Sequence, residues 1–275
     1  MAKRVQSPSS INTYKQCPRK YFYQYIKGYE TIPNIHQVRG NITHDVLEKF
    51  FDWDISSVKE ENFPLQTKLH LQFLLIQEWK NAENEFKKVE LSPDQKKFYF
   101  EETLLMLLNW ANHFIEDIKK TDLPLTVAFS QWTPEREKEY SSTTLNVHGF
   151  VDAVHRLGEK IRIVDYKTNA TLEINEEQRL QLAIYSLLYQ EKYGQAPSEV
   201  GIFFLRHKLK LMKVDEELLA FARREIELIH QKTESEDVTC YPQSVSGLCK
   251  WSSGRCDFFE FCKPDLSQKK NGHHH

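Results

Sequence analysis

Asp165-Tyr166-Lys167 ends an alternating run that begins at Ile161, and Asp152 lies on a similar run from Val147 to Val154. Alternate side chains of a strand share a face, so Asp165 and Lys167 project together while Tyr166 projects to the other side. The bridge Leu157-Gly158-Glu159-Lys160 carries the glycine and the charges of a tight hairpin turn. If that hairpin brings Asp152 close to Asp165, two carboxylates converge, and they repel unless a proton or a cation intervenes. Oxygen ligands of this kind suit a hard divalent ion, Mg²⁺ or Mn²⁺. Taken alone, Asp165 and Lys167 read rather as a solvated ion pair on a sheet face.

Several elements must position these groups. Strands are expected over Thr126–Trp132 and Glu135–Tyr140, with Ser141–Thr144 as a turn. After Lys167 a polar loop leads to Asn175-Glu176-Glu177-Gln178, which opens a helix that Gly194 stops. On it Gln181 and Tyr185 are four apart and share a face, able to reach one phosphate or to order one side of a site; Tyr185 could equally just pack. Val200–Arg206 reads as a further strand and Leu218–Ile229 as a final amphipathic helix, giving an α/β chain with a mixed sheet flanked by helices. Lys208 and Lys210 follow that strand, where a nucleic-acid backbone could meet them.

Upstream, Ser7–Ser10 offers caps to a helix carrying Ile11, Tyr14, Cys17 and Tyr21, which Pro18 bends or interrupts. Gly40–Phe51 starts a second amphipathic helix with Val46, Leu47, Phe50 and Phe51 on its apolar side and His44 in its first turn. From about Lys59 to Lys120 the periodicity is helical, with Leu65, Leu69, Phe73, Leu74, Ile76 and Trp79 in one segment and Phe98 to Ile118 in another. Trp53, Trp79 and Trp110 could stack on bases, but at helical spacing they read as core.

All five cysteines are Cys17 and a C-terminal group, Cys240, Cys249, Cys256 and Cys262. Disulfides are disfavoured without a sign of an oxidising compartment, whereas zinc and iron-sulfur remain open from the ligand types alone.

In order, Gly149-x-x-Asp152, Asp165-Tyr166-Lys167-Thr168 and Gln181-x-x-x-Tyr185 resemble the motifs of the PD-(D/E)XK nuclease superfamily, in its RecB-like branch that includes CRISPR-associated and helicase-linked exonucleases with an iron-sulfur cluster. Gly40-x-x-x-His44 resembles that branch's histidine motif, and SPSSINTYKQCPRKYFYQYI its N-terminal cysteine signature. The resemblance implies a restriction-endonuclease-like core. It also implies one or two Mg²⁺ or Mn²⁺ ions held by His44, Asp152, Asp165 and the Tyr166 carbonyl, and Lys167 positioning the attacking water. It further implies a 4Fe-4S cluster on Cys17, Cys249, Cys256 and Cys262 that staples the two chain ends. The tail departs from the family's close cysteine pair; Ser252–Arg255 reads as a small insertion and Cys240 as spare, unless Cys240 replaces one of the three.

The expected organisation is N-terminal helices over 1–58, a helical insert over 59–122, the nuclease core over 123–235, an iron-sulfur tail over 236–266 and a disordered end over 267–275, where Gly272–His275 reads as a purification-tag remnant. With 275 residues, 40% of them hydrophobic, the chain can bury a proper core. Its 37 basic and 39 acidic residues nearly cancel, so a nucleic-acid ligand must meet a local basic surface. No apolar run approaches the ~20 residues of a membrane span, and the N-terminus lacks a signal's apolar centre, which makes the cytoplasm the expected location. The expected activity is DNA exonucleolysis, from single-stranded ends by preference, since no base-reading helix is visible. The alternatives are a non-catalytic DNA-binding module and a subunit active only with helicase, recombination or CRISPR-adaptation partners. Oligomeric state is open.

Overall fold

Ser7 caps α1 (Pro8–Gln16) reciprocally with Ser10, each side chain accepting from the other's backbone N–H. Cys17 is extended, and Pro18 then opens the four-residue α2 (Pro18–Tyr21), which runs into a π turn over Phe22–Ile26. The proline therefore starts a helix, where its missing N–H costs nothing. The molecule is described by a computed structural model over residues 4–251, 254–264 and 266. The histidine segment at the C-terminus, and Ser252 and Ser253 of the expected insertion, lie outside the described residues.

Internal packing divides the chain into two units, one of Met1–Ile32, Ser141–His148 and Ala220–His275, the other of Pro33–Tyr140 and Gly149–Leu219. In the larger unit α3 (Ile35–Phe50) starts at the Asn34 cap, a full turn earlier than Gly40, because Asn34 and Gln37 close a capping box. His44 consequently sits in mid-helix. The helical stretch after it resolves into α4 (Phe63–Asn81), α5 (Glu83–Val89) and α6 (Pro93–Lys119). Trp79 and Trp110 are buried there, and Trp53 packs at the edge of the same core, stacked on His70. Leu65, Leu69, Phe73 and Ile76, grouped above with the apolar side of α4, are instead each more than half exposed. The buried face runs through Phe63, Thr67, Leu71, Leu74 and Leu75.

Thr126–Trp132, expected as a strand, is a helix, α7 (Leu125–Trp132). Its buried residues Leu125, Ala128 and Phe129 recur at three and four, so the short alternation was incidental to a helical face. The sheet is therefore fed by β1 (Glu135–Ser142) alone, followed by β2 (Val147–Leu157) and β3 (Lys160–Lys167). Gly158, at φ +65°, makes the two-residue turn between them. Next, α8 (Glu176–Tyr193) runs from a capping box of Asn175 and Gln178 to Gly194 in the left-handed region, as expected. The chain continues through β4 (Glu199–Phe204) and the unanticipated β5 (Leu209–Lys213), which places Lys210 on an edge strand. Among the described residues the order is β1-β2-β3-β4-β5, antiparallel from β2 to β3, parallel from β3 to β4 and antiparallel to β5. The parallel pair needs the α8 crossover. This is the mixed, helix-flanked α/β sheet expected from the sequence.

The other unit holds most of α9 (Glu216–Lys232), the short β6 (Lys250–Trp251) and β7 (Gly254–Arg255), and α10 (Phe259–Cys262). Its centre is aromatic: Tyr21 stacks on Tyr241 at 6.2 Å, Phe22 packs against Tyr241, and Tyr23 meets Phe258 and Phe261. Arg19 donates from its Nε to the Tyr241 carbonyl at 2.7 Å. These contacts join the first 32 residues to the last part of the chain with no covalent link.

Candidate active site

The hairpin of β2 and β3 is paired from Leu157 and Lys160 as far as Ala153 and Val164. Beyond that pair the next link is a side chain: the Tyr166 N–H donates to Asp152 Oδ2 at 2.7 Å. A buried donor normally met by a neighbouring strand is thus satisfied by a carboxylate, which fixes Asp152 at the point where the ladder stops. Tyr166 turns its ring into the core, while Asp165 and Lys167 project together, Lys167 Nζ lying 2.8 Å from Asp165 Oδ2.

His44 reaches this point from α3. Its Nε2 lies 3.1 Å from the Tyr166 carbonyl oxygen, and its Nδ1 lies 3.3 Å from Asp152 Oδ1 and 3.7 Å from Glu137 Oε1. One ligand atom from each of His44, Glu137 and Asp152 falls within 4.8 Å of the others. The structure therefore brings together His44, Asp152, Asp165, the Tyr166 carbonyl and Lys167, and adds Glu137. In the sequence Glu137 is one of three acids at 135, 137 and 139 on one face of an expected strand, and nothing there separates it from the other two. Its backbone, at φ +43°, is left-handed inside β1. A strained conformation of this kind is concentrated where the surroundings must aim a side chain.

Both ring nitrogens of His44 face oxygens. Burial opposes a charge on the ring, but the negative charge and hydrogen bond of Asp152, aided by Glu137, outweigh it and raise the pKa to about 10. Burial likewise pushes Asp165 up to about 6, against the pull of Lys167 and with the repulsion of Asp152. For Lys167 burial is overcome by Asp165 and Asp152, which raise its pKa. Three carboxylates against the two cations of Lys167 and protonated His44 leave one negative charge in excess. A divalent ion that replaces the His44 proton cancels it.

The donor set itself fits a hard cation: carboxylates, a carbonyl and an imidazole converge, beside the buried Asp165 Oδ2 whose charge the Lys167 ammonium meets at 2.8 Å. Asp165 Oδ1 is held from the other side by Gln181 Nε2 at 2.9 Å, and the same amide lies 2.8 Å from the Tyr185 hydroxyl. Gln181 and Tyr185 thus orient the carboxylate from α8. The cysteines lie in the other unit as free thiols. Cys17, Cys249, Cys256 and Cys262 are half-buried, and Cys240 is exposed.

No curated protein matches the sequence. Among solved structures, a "Putative exonuclease" from Eubacterium rectale superposes with a TM-score of 0.49 at 11% identity, over 94% of this chain and 93% of that one. The family model of the PD-(D/E)XK nuclease superfamily matches residues 6–263. That span takes in nearly the whole sequence and every residue of the cluster just described, and the chain belongs to the PD-(D/E)XK nuclease superfamily.

Proposed function

We propose that the protein is a metal-dependent deoxyribonuclease of the RecB-like branch that degrades DNA from single-stranded ends. The observation that carries this reading is the convergence of His44, Glu137 and Asp152 within 4.8 Å beside the Asp165 and Lys167 ion pair. His44, Asp152, Asp165 and the Tyr166 carbonyl would hold Mg²⁺ or Mn²⁺, with Glu137 as a further oxygen donor. When bound, the ion supplies positive charge at the scissile phosphate and acidifies a water. Lys167 stays cationic at neutral pH because its neighbours are acids, so its ammonium orients the attacking water and offsets charge that builds on the phosphate. Gln181, backed by Tyr185, keeps Asp165 Oδ1 turned away from that event.

In the smaller unit Cys17, Cys249, Cys256 and Cys262 would carry a structural 4Fe-4S cluster. Burial pushes the Cys262 thiol up to about 11, and Cys17, Cys249 and Cys256 add to the rise; among the described residues the four sulfurs do not themselves gather within 4.8 Å of one another, so the cluster would have to draw them in. Cys240 is exposed where the other four are half-buried, which supports its reading as the spare. The aromatic centre that already joins the chain ends gives the cluster a site to close. On this reading the helical insert over 59–122 is a lobe of the nuclease, and a helicase or recombination partner in the cytoplasm supplies the DNA ends.

The test uses single-stranded and duplex DNA labelled at either end, with Mg²⁺ or Mn²⁺, on the parent and on Lys167→Ala. Progressive shortening of the single strand by the parent alone is expected. Equal cleavage by both proteins would remove Lys167 from the mechanism, and no cleavage by either, with or without partners, would leave a DNA-binding module. Iron content with brown colour, against zinc, decides the cysteine site.

A further inference from the structure

α4 has two apolar faces, and only one of them packs inside the molecule. On the other, Leu65, Leu69, Phe73 and Ile76 follow one another at spacings of four, four and three, which keeps them in one line along the helix. They are 62, 54, 54 and 51% exposed, whereas Leu71, Leu74 and Leu75 on the opposite face are buried in the core. Single exposed leucines need no account, but an unbroken seam of four large side chains marks a surface that meets another protein. The charges around the seam indicate which protein. The 3-10 turn Glu60–Asn62 leads straight into α4 and puts the exposed Glu61 at one end of the seam, and the exposed Lys80 stands at the other. Between them the flanking residues are the uncharged Gln66, Gln72 and Gln77, and Lys68. An identical helix laid along the seam in the opposite direction, with Leu65 against Ile76, brings Glu61 of each copy to Lys80 of the other, because both stand four positions beyond the seam. The same register sets Lys68 of each copy over the Phe73 ring of the other, a favourable meeting of cation and aromatic face. Parallel pairing would instead set Glu61 against Glu61 and Lys80 against Lys80, which repel.

We propose that the exposed face of α4 is a dimerisation surface, on which two copies of this chain pair antiparallel about a two-fold axis through the middle of the seam. Such a contact is closed, so by itself it assembles two copies and no more. One helix face lies at the small end of specific interfaces, under ~1,200 Å² in total, so the dimer should dissociate reversibly at about micromolar concentration. The proposal is independent of the nuclease reading.

Sedimentation velocity of the full chain from about 1 to 300 μM tests it, on the parent, Phe73→Glu, Glu61→Lys and Lys80→Glu. The parent should pass from monomer to dimer within that range and form nothing larger. Phe73→Glu should weaken the dimer about 30-fold or more, with circular dichroism and melting close to the parent's because the ring lies outside the core. Glu61→Lys and Lys80→Glu should each weaken self-association by about 3- to 10-fold, since either reversal sets like charges opposite one another at both ends of the seam. An equimolar mixture of those two variants should recover the parent's affinity, because an acid then meets a lysine at both ends again. A parent that stays monomeric throughout, a Phe73→Glu variant that associates as tightly as the parent, or a mixture no tighter than the separate variants would overturn the proposal. In the first case the seam would belong to a different protein.

Discussion

In the metal-free protein the proton on His44 is part of the fold, and its removal can be followed. The ring's pKa is about 10 in the folded chain against 6.5 for the ordinary side chain. The stabilisation it brings is therefore complete below about pH 6.5 and is lost as pH rises through about 10. At ~1.36 kcal/mol per unit, the full shift would correspond to roughly 5 kcal/mol. The ring is 28% exposed, so screening by solvent reduces this to a few kcal/mol at most. A bound cation reverses the sign, because it needs the neutral ring and competes with the proton, so its affinity rises with pH by up to tenfold per unit. Thermal melts of the parent and of His44→Gln between pH 6 and 10, in chelator and in Mn²⁺, separate the two effects. In chelator the parent should lose its advantage over His44→Gln as pH rises; in Mn²⁺ the stabilisation by metal should grow over the same range and be largely absent from His44→Gln. Parallel curves for the two proteins in both buffers would refute the assignment of His44 to this site.

Lys167→Ala should abolish cleavage in Mg²⁺ or Mn²⁺ while the circular dichroism and DNA binding stay close to those of the parent; near-parental turnover would exclude the role given to the ammonium. Gln181→Ala, which frees Asp165 Oδ1, should lower kcat by about 10-fold or more with little change in KM, as expected for a lost orienting contact. Cys256→Ser should lose both colour and stability, since the cluster closes a loop of nearly the whole chain, and a colourless variant as stable as the parent would leave the cysteines as ordinary packing residues. Glu102→Gln should destabilise the larger unit by ~3–5 kcal/mol, because Arg39, only 3% exposed, is left charged without its partner. Arg206, hydrogen-bonded to both Glu102 oxygens, depresses the Glu102 pKa, so the parent's advantage is present above the ordinary carboxyl range and should vanish as pH falls through the depressed value, measured by urea melts.

Sequence alone determined the elements whose signals are local. The Asn175 cap and Gly194 stop bounded α8 correctly, the glycine turn paired β2 with β3, and period-two alternation placed Asp165 and Lys167 together, because each depends only on backbone rules acting over a few residues. The same rules misassigned Thr126–Trp132, where seven residues alternate by chance and burial at three and four decides. They also could not divide the two apolar faces of α4, since only the packing partner tells Leu71 from Leu69. Glu137 was beyond reach, because three like acids share its strand and a left-handed backbone aims just one of them at His44. The site is a sum of side chains from α3, β1, β2, β3 and α8. Their types were written in the chain, but the charge they impose on one another arises only when folding brings distant segments within a few ångströms.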